Sequence, residues 1–182
     1  MNRDRPQLDV RLPEPKDLEL LWRWANDPDV RRNSFSPEEI SLESHTKWFR
    51  QIIASPSSRI YIIELAGNPV GQVRYDGVSI TEAEIDVSID ARHRGNGFGS
   101  LALGLTTELG RAALNVERVV GIVMKSNAVS CAAFRKAGFK ESEPRSVQGQ
   151  LCRVFHWPPD RTGTGGDLEK VGIGKGSNSA NR

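Results

Sequence analysis

Arg94-Gly-Asn-Gly-Phe-Gly-Ser100 is the stretch of this sequence best suited to chemistry. Glycines at alternate positions open backbone conformations closed to other residues and bring main-chain N–H groups within reach of a ligand. A leucine-bearing helix follows at once, so unpaired N–H groups and the positive end of the helix dipole converge on one point. The amides of Gly95, Asn96, Gly97, Phe98, Gly99 and Ser100 so gathered suit a pyrophosphate, and Arg94 adds a fixed positive charge. Other readings compete. A nucleotide-triphosphatase loop closes on Gly-Lys-Ser/Thr, and no lysine stands here. A dinucleotide fingerprint is spaced Gly-x-Gly-x-x-Gly, which Gly95, Gly97 and Gly99 do not match. A turn that merely caps a helix accounts for the glycines but not for the arginine beside them.

A second group precedes the loop. Glu84, Asp86, Ser88 and Asp90 alternate with Ile85, Val87 and Ile89, and this period of two predicts a strand with one aliphatic and one acid-and-hydroxyl face. A carboxylate there can take a proton from an amine, directly or through water. The same pattern also describes the solvated side of a half-exposed strand. Asn127 opens a predicted helix, where its side chain serves as an N-cap, touches a ligand, or both. Cys131 reads as a helix-packing residue, His93 as exposed and His156 as a strand residue; no His/Cys cluster has metal-ligand spacing.

These groups need a domain to position them. A chain of 182 residues, 37% hydrophobic and 26% charged, is long enough for one domain with its own core. A net charge of +2 with both signs interspersed argues against a nucleic-acid partner. No run approaches the roughly 20 apolar residues of a membrane span, and the amino terminus lacks the apolar core of a secretion signal. Two cysteines cannot build a disulfide framework, so a reduced, cytoplasmic setting is expected, with the protein a monomer or homodimer. The pattern predicts a strand over 8–12, a helix from Pro15 through Leu18, Leu21 and Trp22, and a second helix capped by Ser41. A hairpin over 59–65 and 70–75 and the period-two strand follow. Then come a third helix with Leu101, Leu105 and Leu109 four apart, a strand over 119–123, a fourth helix from Asn127 to Gly138, and a last strand over 150–157. This is a mixed α/β sheet in a domain spanning 1–157. Residues 158–182 are too rich in Gly, Ser and Asn to offset the entropy of ordering and read as a disordered tail.

On these residues the sequence resembles the GNAT superfamily of N-acetyltransferases. Its signature Arg/Gln-x-x-Gly-x-Gly/Ala is matched by Arg92 through Gly97, and its second element, Asn before a helix ending Gly-Phe, by Asn127, Ser130 and Gly138-Phe139. The resemblance implies a central, mostly antiparallel sheet of six to seven strands flanked by about four helices, and acetyl-CoA as donor. It implies that the pyrophosphate rests on the loop amides and that the pantetheine arm runs beside Val87 and Ile89, touched by Asn127 and bordered by Phe134. It implies a base on the period-two strand, Glu84 ahead of Asp86 and Ser88. The family's helix tyrosine, which serves as acid, is Phe134 here and cannot donate a proton.

The Trp22–Phe35 segment, His45 before Trp48-Phe49, and Gly71-Gln-Val-Arg74 resemble the acetyltransferases of the pseudaminic acid pathway. That likeness implies an acceptor amine on a nucleotide-linked aminosugar, met by Arg32, Asn33, Ser34, Phe35, His45, Gln72 and Arg74. A protein N-terminus or another small amine is the alternative acceptor, and an acyl-CoA sensor without catalysis is the alternative class.

Overall fold

A computed structural model describes residues 7–158. Seven strands form one sheet in the order β1-β2-β3-β4-β5-β7-β6. β1 (Leu8–Arg11) is followed by a 3-10 turn (Pro15–Asp17), α1 (Leu18–Ala25), α2 (Pro28–Arg32) and α3 (Leu42–Ala54). β2 (Ser58–Leu65), β3 (Asn68–Gly77) and β4 (Glu82–Ile89) make an antiparallel meander. A second 3-10 turn (Ala91–His93) leads to α4 (Phe98–Leu114), then β5 (Arg118–Met124), α5 (Ala128–Lys136), β6 (Lys140–Val147) and β7 (Gln150–Trp157). β4 and β5 are parallel; every other neighbouring pair is antiparallel.

Helices cover both faces of the sheet, and each face has its own core. α4 and α5 pack on the side bearing Tyr61, Ile63, Val73, Tyr75, Ile85, Val119 and Phe155. α1 and α3 pack Leu21, Trp24, Phe49 and Ile52 onto Ile60 and Ile62 on the other. The expected N-caps form as chemistry requires: Ser41 accepts from the Ser44 amide and Asn127 from the Ser130 amide.

At three points the structure goes beyond the sequence pattern. Of the three α4 leucines, Leu101 packs against the core, whereas Leu105 and Leu109 are 45% and 48% exposed. The inward stripe is Phe98, Ala102, Leu103, Thr106, Thr107 and Gly110, small enough for the helix to lie close to the sheet. A Cβ at Gly110 would stand 2.7 Å from the Tyr75 ring. The buried threonines satisfy their hydroxyls on the helix's own carbonyls, Thr106 on Ala102 and Thr107 on Leu103, which makes polar residues acceptable inside. Second, β6 escaped the pattern because its residues are almost all polar and solvent-facing; pairing with β7 alone makes it a strand. Third, five α-helices stand among the described residues, the extra one being α2, a single turn capped by Asp27. The proposed tail, from residue 159 on, lies outside the described residues.

Candidate active site

The site begins where the sheet stops pairing. The parallel ladder between β4 and β5 runs only from Glu82 opposite Arg118 to Glu84 opposite Val120. Past that point, residues 85–89 keep their β3 partners but pair with nothing on the β5 side among the described residues. A cleft therefore opens between two parallel strands, walled by strand backbone whose N–H and C=O groups can receive an extended ligand as an added strand. Val87 and Ile89 line this end of β4, half-buried against the α4-side core.

The glycine loop lies at the end of β4. Gly95 and Gly97 have φ of +80° and +77°, left-handed values that a side chain disfavours. Gly97 is the N-cap of α4 and offers no side-chain cap, so the amides of Phe98, Gly99 and Ser100 face outward without helical partners. The side chains around them serve the loop itself. Ser100 Oγ donates to the Gly97 carbonyl at 2.8 Å, Asn96 Nδ2 to the carbonyls of His93 and Arg94, and Phe98 is buried with His93 stacked on it. What remains for an anion is backbone.

The charge expected from Arg94 is spoken for. Its Nε donates to the Ile89 carbonyl at 2.9 Å, and its two terminal nitrogens pair with Asp27 at 2.8 Å and Asp29 at 3.0 Å. Burial pushes the Asp27 carboxyl up, but Arg94 and the amides of Val30 and Asp29 outweigh it and hold the group below its ordinary value. Among the described residues, the cation that stands at the loop without a carboxylate partner is instead Lys136, whose Nζ lies 3.4 Å from where a Gly97 Cβ would be. Sequence reasoning missed it, because only the docking of α5 beside α4 brings the two together.

On the α1/α3 side of the sheet, cross-strand register assembles a charged face. Asp76 lies opposite Glu84, Arg74 opposite Asp86, and Gln72 opposite Ser88; directly paired residues share a face. Arg74 donates to Asp76 at 2.8 Å and lies over the Trp48 ring, 5.6 Å from its centroid. Burial and the neighbouring Asp86 push the Glu84 carboxyl above its usual value, against the pull of Arg74 and Arg145. Asp86 is exposed, whereas Ser88 and Gln72 are only 9% and 6% exposed, so the four polar positions of β4 differ more than alternation suggested. Asp90 is no base: hydrogen bonds from Arg92 and Trp24 hold its carboxyl far below the ordinary range despite burial.

The remaining sequence-predicted residues divide. Trp22 Nε1 and Asn26 Nδ2 both donate to the Ile40 carbonyl, folding residues 33–40 back onto α1. At the end of α2 Arg32 pairs with Asp29; in the loop Asn33 Nδ2 donates to the Asp29 carbonyl, Ser34 Oγ accepts from the Ser36 amide, and Phe35 is half-buried. His45 is buried beside Trp48, and burial lowers its pKa; it braces the wall rather than lining it. Phe134 is 2% exposed, stacked on Phe155, edge-on to Phe139 and seated against Gly121. It is therefore core, not the border of an open arm site. Trp48 packs against the α1/α3-side core and is half-buried beside the charged face.

A family profile described as an acetyltransferase (GNAT) domain matches residues 7–140. No curated protein matches. Among solved structures, spermidine N-acetyltransferase from Vibrio cholerae, in complex with CoA and spermine, superposes with a TM-score of 0.72 at 20% identity, covering 82% of this chain and 94% of that one. The aminoglycoside acetyltransferase AAC(6')-Ib, in complex with paromomycin and acetyl-CoA, gives 0.71 at 19%, covering 82% and 92%. A domain from Methanocaldococcus jannaschii gives 0.68 at 20%, covering 81% and 97%. At such identities the likeness establishes the fold.

Proposed function

This chain belongs to the GNAT acetyltransferase family, and from that premise we propose that its β4–β5 cleft holds acetyl-CoA while the Glu84 face presents an aminosugar amine to it. The protein is an acetyl-CoA-dependent N-acetyltransferase. The observation that carries the site reading is the ladder's end at Glu84 and Val120, which leaves the β5 side of residues 85–89 open on the way to an uncapped helix N-terminus. The residues fit the donor: the backbone of residues 85–88, open on the β5 side, matches the amides of a pantetheine arm, loop amides of residues 95–100 suit a pyrophosphate, and Lys136 supplies positive charge. Asn127 keeps its cap and stands at the opposite wall.

Bound acetyl-CoA supplies an activated thioester; the rest falls to the chain. Glu84, raised by burial, takes the proton that the acceptor ammonium must lose, directly or through water. Main-chain N–H groups near Ile89 meet the charge that develops on the carbonyl oxygen. Holding the reactants in line is worth about 7–11 kcal/mol. Phe134 is buried and carries no proton, so the leaving thiolate draws on water.

Two acceptor chemistries suit this face. The nucleotide-linked sugar expected from the sequence would use Arg74 and Trp48 on this face. A polycationic aminosugar or polyamine is favoured by a specific observation: Asp76, Glu84 and Asp86 share one face, while Arg32 and Arg74 are already paired with acids. Thiol release from acetyl-CoA, measured with UDP-4-aminosugars, aminoglycosides, spermidine and a peptide N-terminus, decides. Turnover with a sugar amine is expected. Turnover with the peptide alone would overturn the acceptor reading, and none at all would leave a sensor.

A further inference from the structure

We propose that Arg94 is a positioning residue that couples the glycine loop to the acceptor-side segment, so that filling the loop orders residues 28–40. This rests on the reading of the cleft as the coenzyme A site. One guanidinium reaches three places: the Ile89 carbonyl at the end of β4, Asp27 at the start of α2, and Asp29 two residues further on. Asp27 is also the cap of α2, accepting from the amides of Asp29 and Val30. Asp29 passes the connection on, its other carboxylate oxygen taking Arg32 and its carbonyl taking Asn33. A second tie runs parallel: Trp24 on α1 donates to Asp90, which holds Arg92 through both its backbone and its guanidinium. The backbone of Arg94 enters Gly95 and the loop, while its side chain leaves for α2. A ligand that fixes the loop therefore fixes where the guanidinium stands, and with it the start of the segment that folds back onto α1.

Arg94 as a bridge and Arg94 as a phosphate ligand predict different results with coenzyme A alone. Calorimetry gives its Kd, and amide hydrogen exchange reads residues 28–40 with and without it. In the unaltered protein, coenzyme A is expected to slow exchange over 28–40. In Arg94→Gln, coenzyme A is expected to bind within about threefold of the unaltered Kd, with protection over 28–40 lost. Asp27→Asn keeps a competent cap and removes only the charge, so it should behave alike. Arg94→Lys should not rescue, because an ammonium cannot span three acceptors. Protection unchanged in Arg94→Gln, absent from the unaltered protein, or restored by lysine overturns the proposal, as does a tenfold or greater loss of coenzyme A affinity. If Arg94→Gln fails to fold, the exposed Asp29→Asn replaces it with the same criteria. No coenzyme A binding by the unaltered, folded protein would instead overturn the site reading itself.

Discussion

Glu84 and its neighbours give the most direct tests of chemistry. Because burial and Asp86 hold its carboxyl above the ordinary value, the acid limb of kcat/KM is expected at a pH above the usual carboxylate range. Glu84→Gln should remove that limb and lower kcat about a hundredfold, with little change in acetyl-CoA affinity. Asp86→Asn takes away a repelling negative charge, so the limb should move to lower pH; movement upward would assign the proton to another group. At the loop, Lys136→Gln should weaken acetyl-CoA binding about five- to tenfold and flatten its salt dependence. Gly97→Val forces a left-handed position and crowds Lys136, so it should weaken binding further. The loop was legible in the sequence because residue type alone dictates it: only glycines take those φ values cheaply. Lys136, Asp27 and Asp29 were not, since their part depends on docked elements far apart in the chain, and the arginine that looked free for phosphate proved to be held by those same acids.

Elements whose residues alternate or repeat were readable, and those held by partners alone were not. β4 and the β2–β3 hairpin follow their period; β6 has none and exists because β7 is beside it. In α4, leucine spacing marks a face without saying which face is inward. Close packing decides that, through Gly110 against Tyr75, and Gly121 against Phe134 seats α5 on β5 in the same way. At Gly121 an added Cβ would fall inside the Phe134 ring's contact distance, so Gly121→Ala should destabilise by about 1–3 kcal/mol. Combined with Phe134→Leu it should cost less than the sum, since both act on one space; denaturant melts of the four proteins would show additivity if the two were independent.

For the molecule as a whole, the ties between α1, α2 and the loop set its response to acid. Asp90 has a native pKa far below the ordinary one, so the unfolded chain binds more protons and its contribution to stability rises with pH. That contribution is complete above about pH 4 and lost as pH falls towards the native value. Asp90→Asn is expected to cost about 1–3 kcal/mol at pH 7, with the gap to the unaltered protein closing below about pH 4. A constant gap across that range in thermal melts would mean that packing, not charge, is what Asp90 contributes. Among the described residues no helix is long and apolar enough to cross a membrane.

The short β4–β5 ladder also makes the donor a keystone. Three facing residue pairs, with α4 laid across them, are the backbone seam between the sheet's two wings, and an arm lodged along β4 would lengthen that seam. Saturation at a hundred times Kd then adds about 2.7 kcal/mol, a rise of about 5–10 °C in melting temperature for a domain this size. The empty enzyme should accordingly gape and loosen first along this line, waiting for its own substrate to complete the sheet.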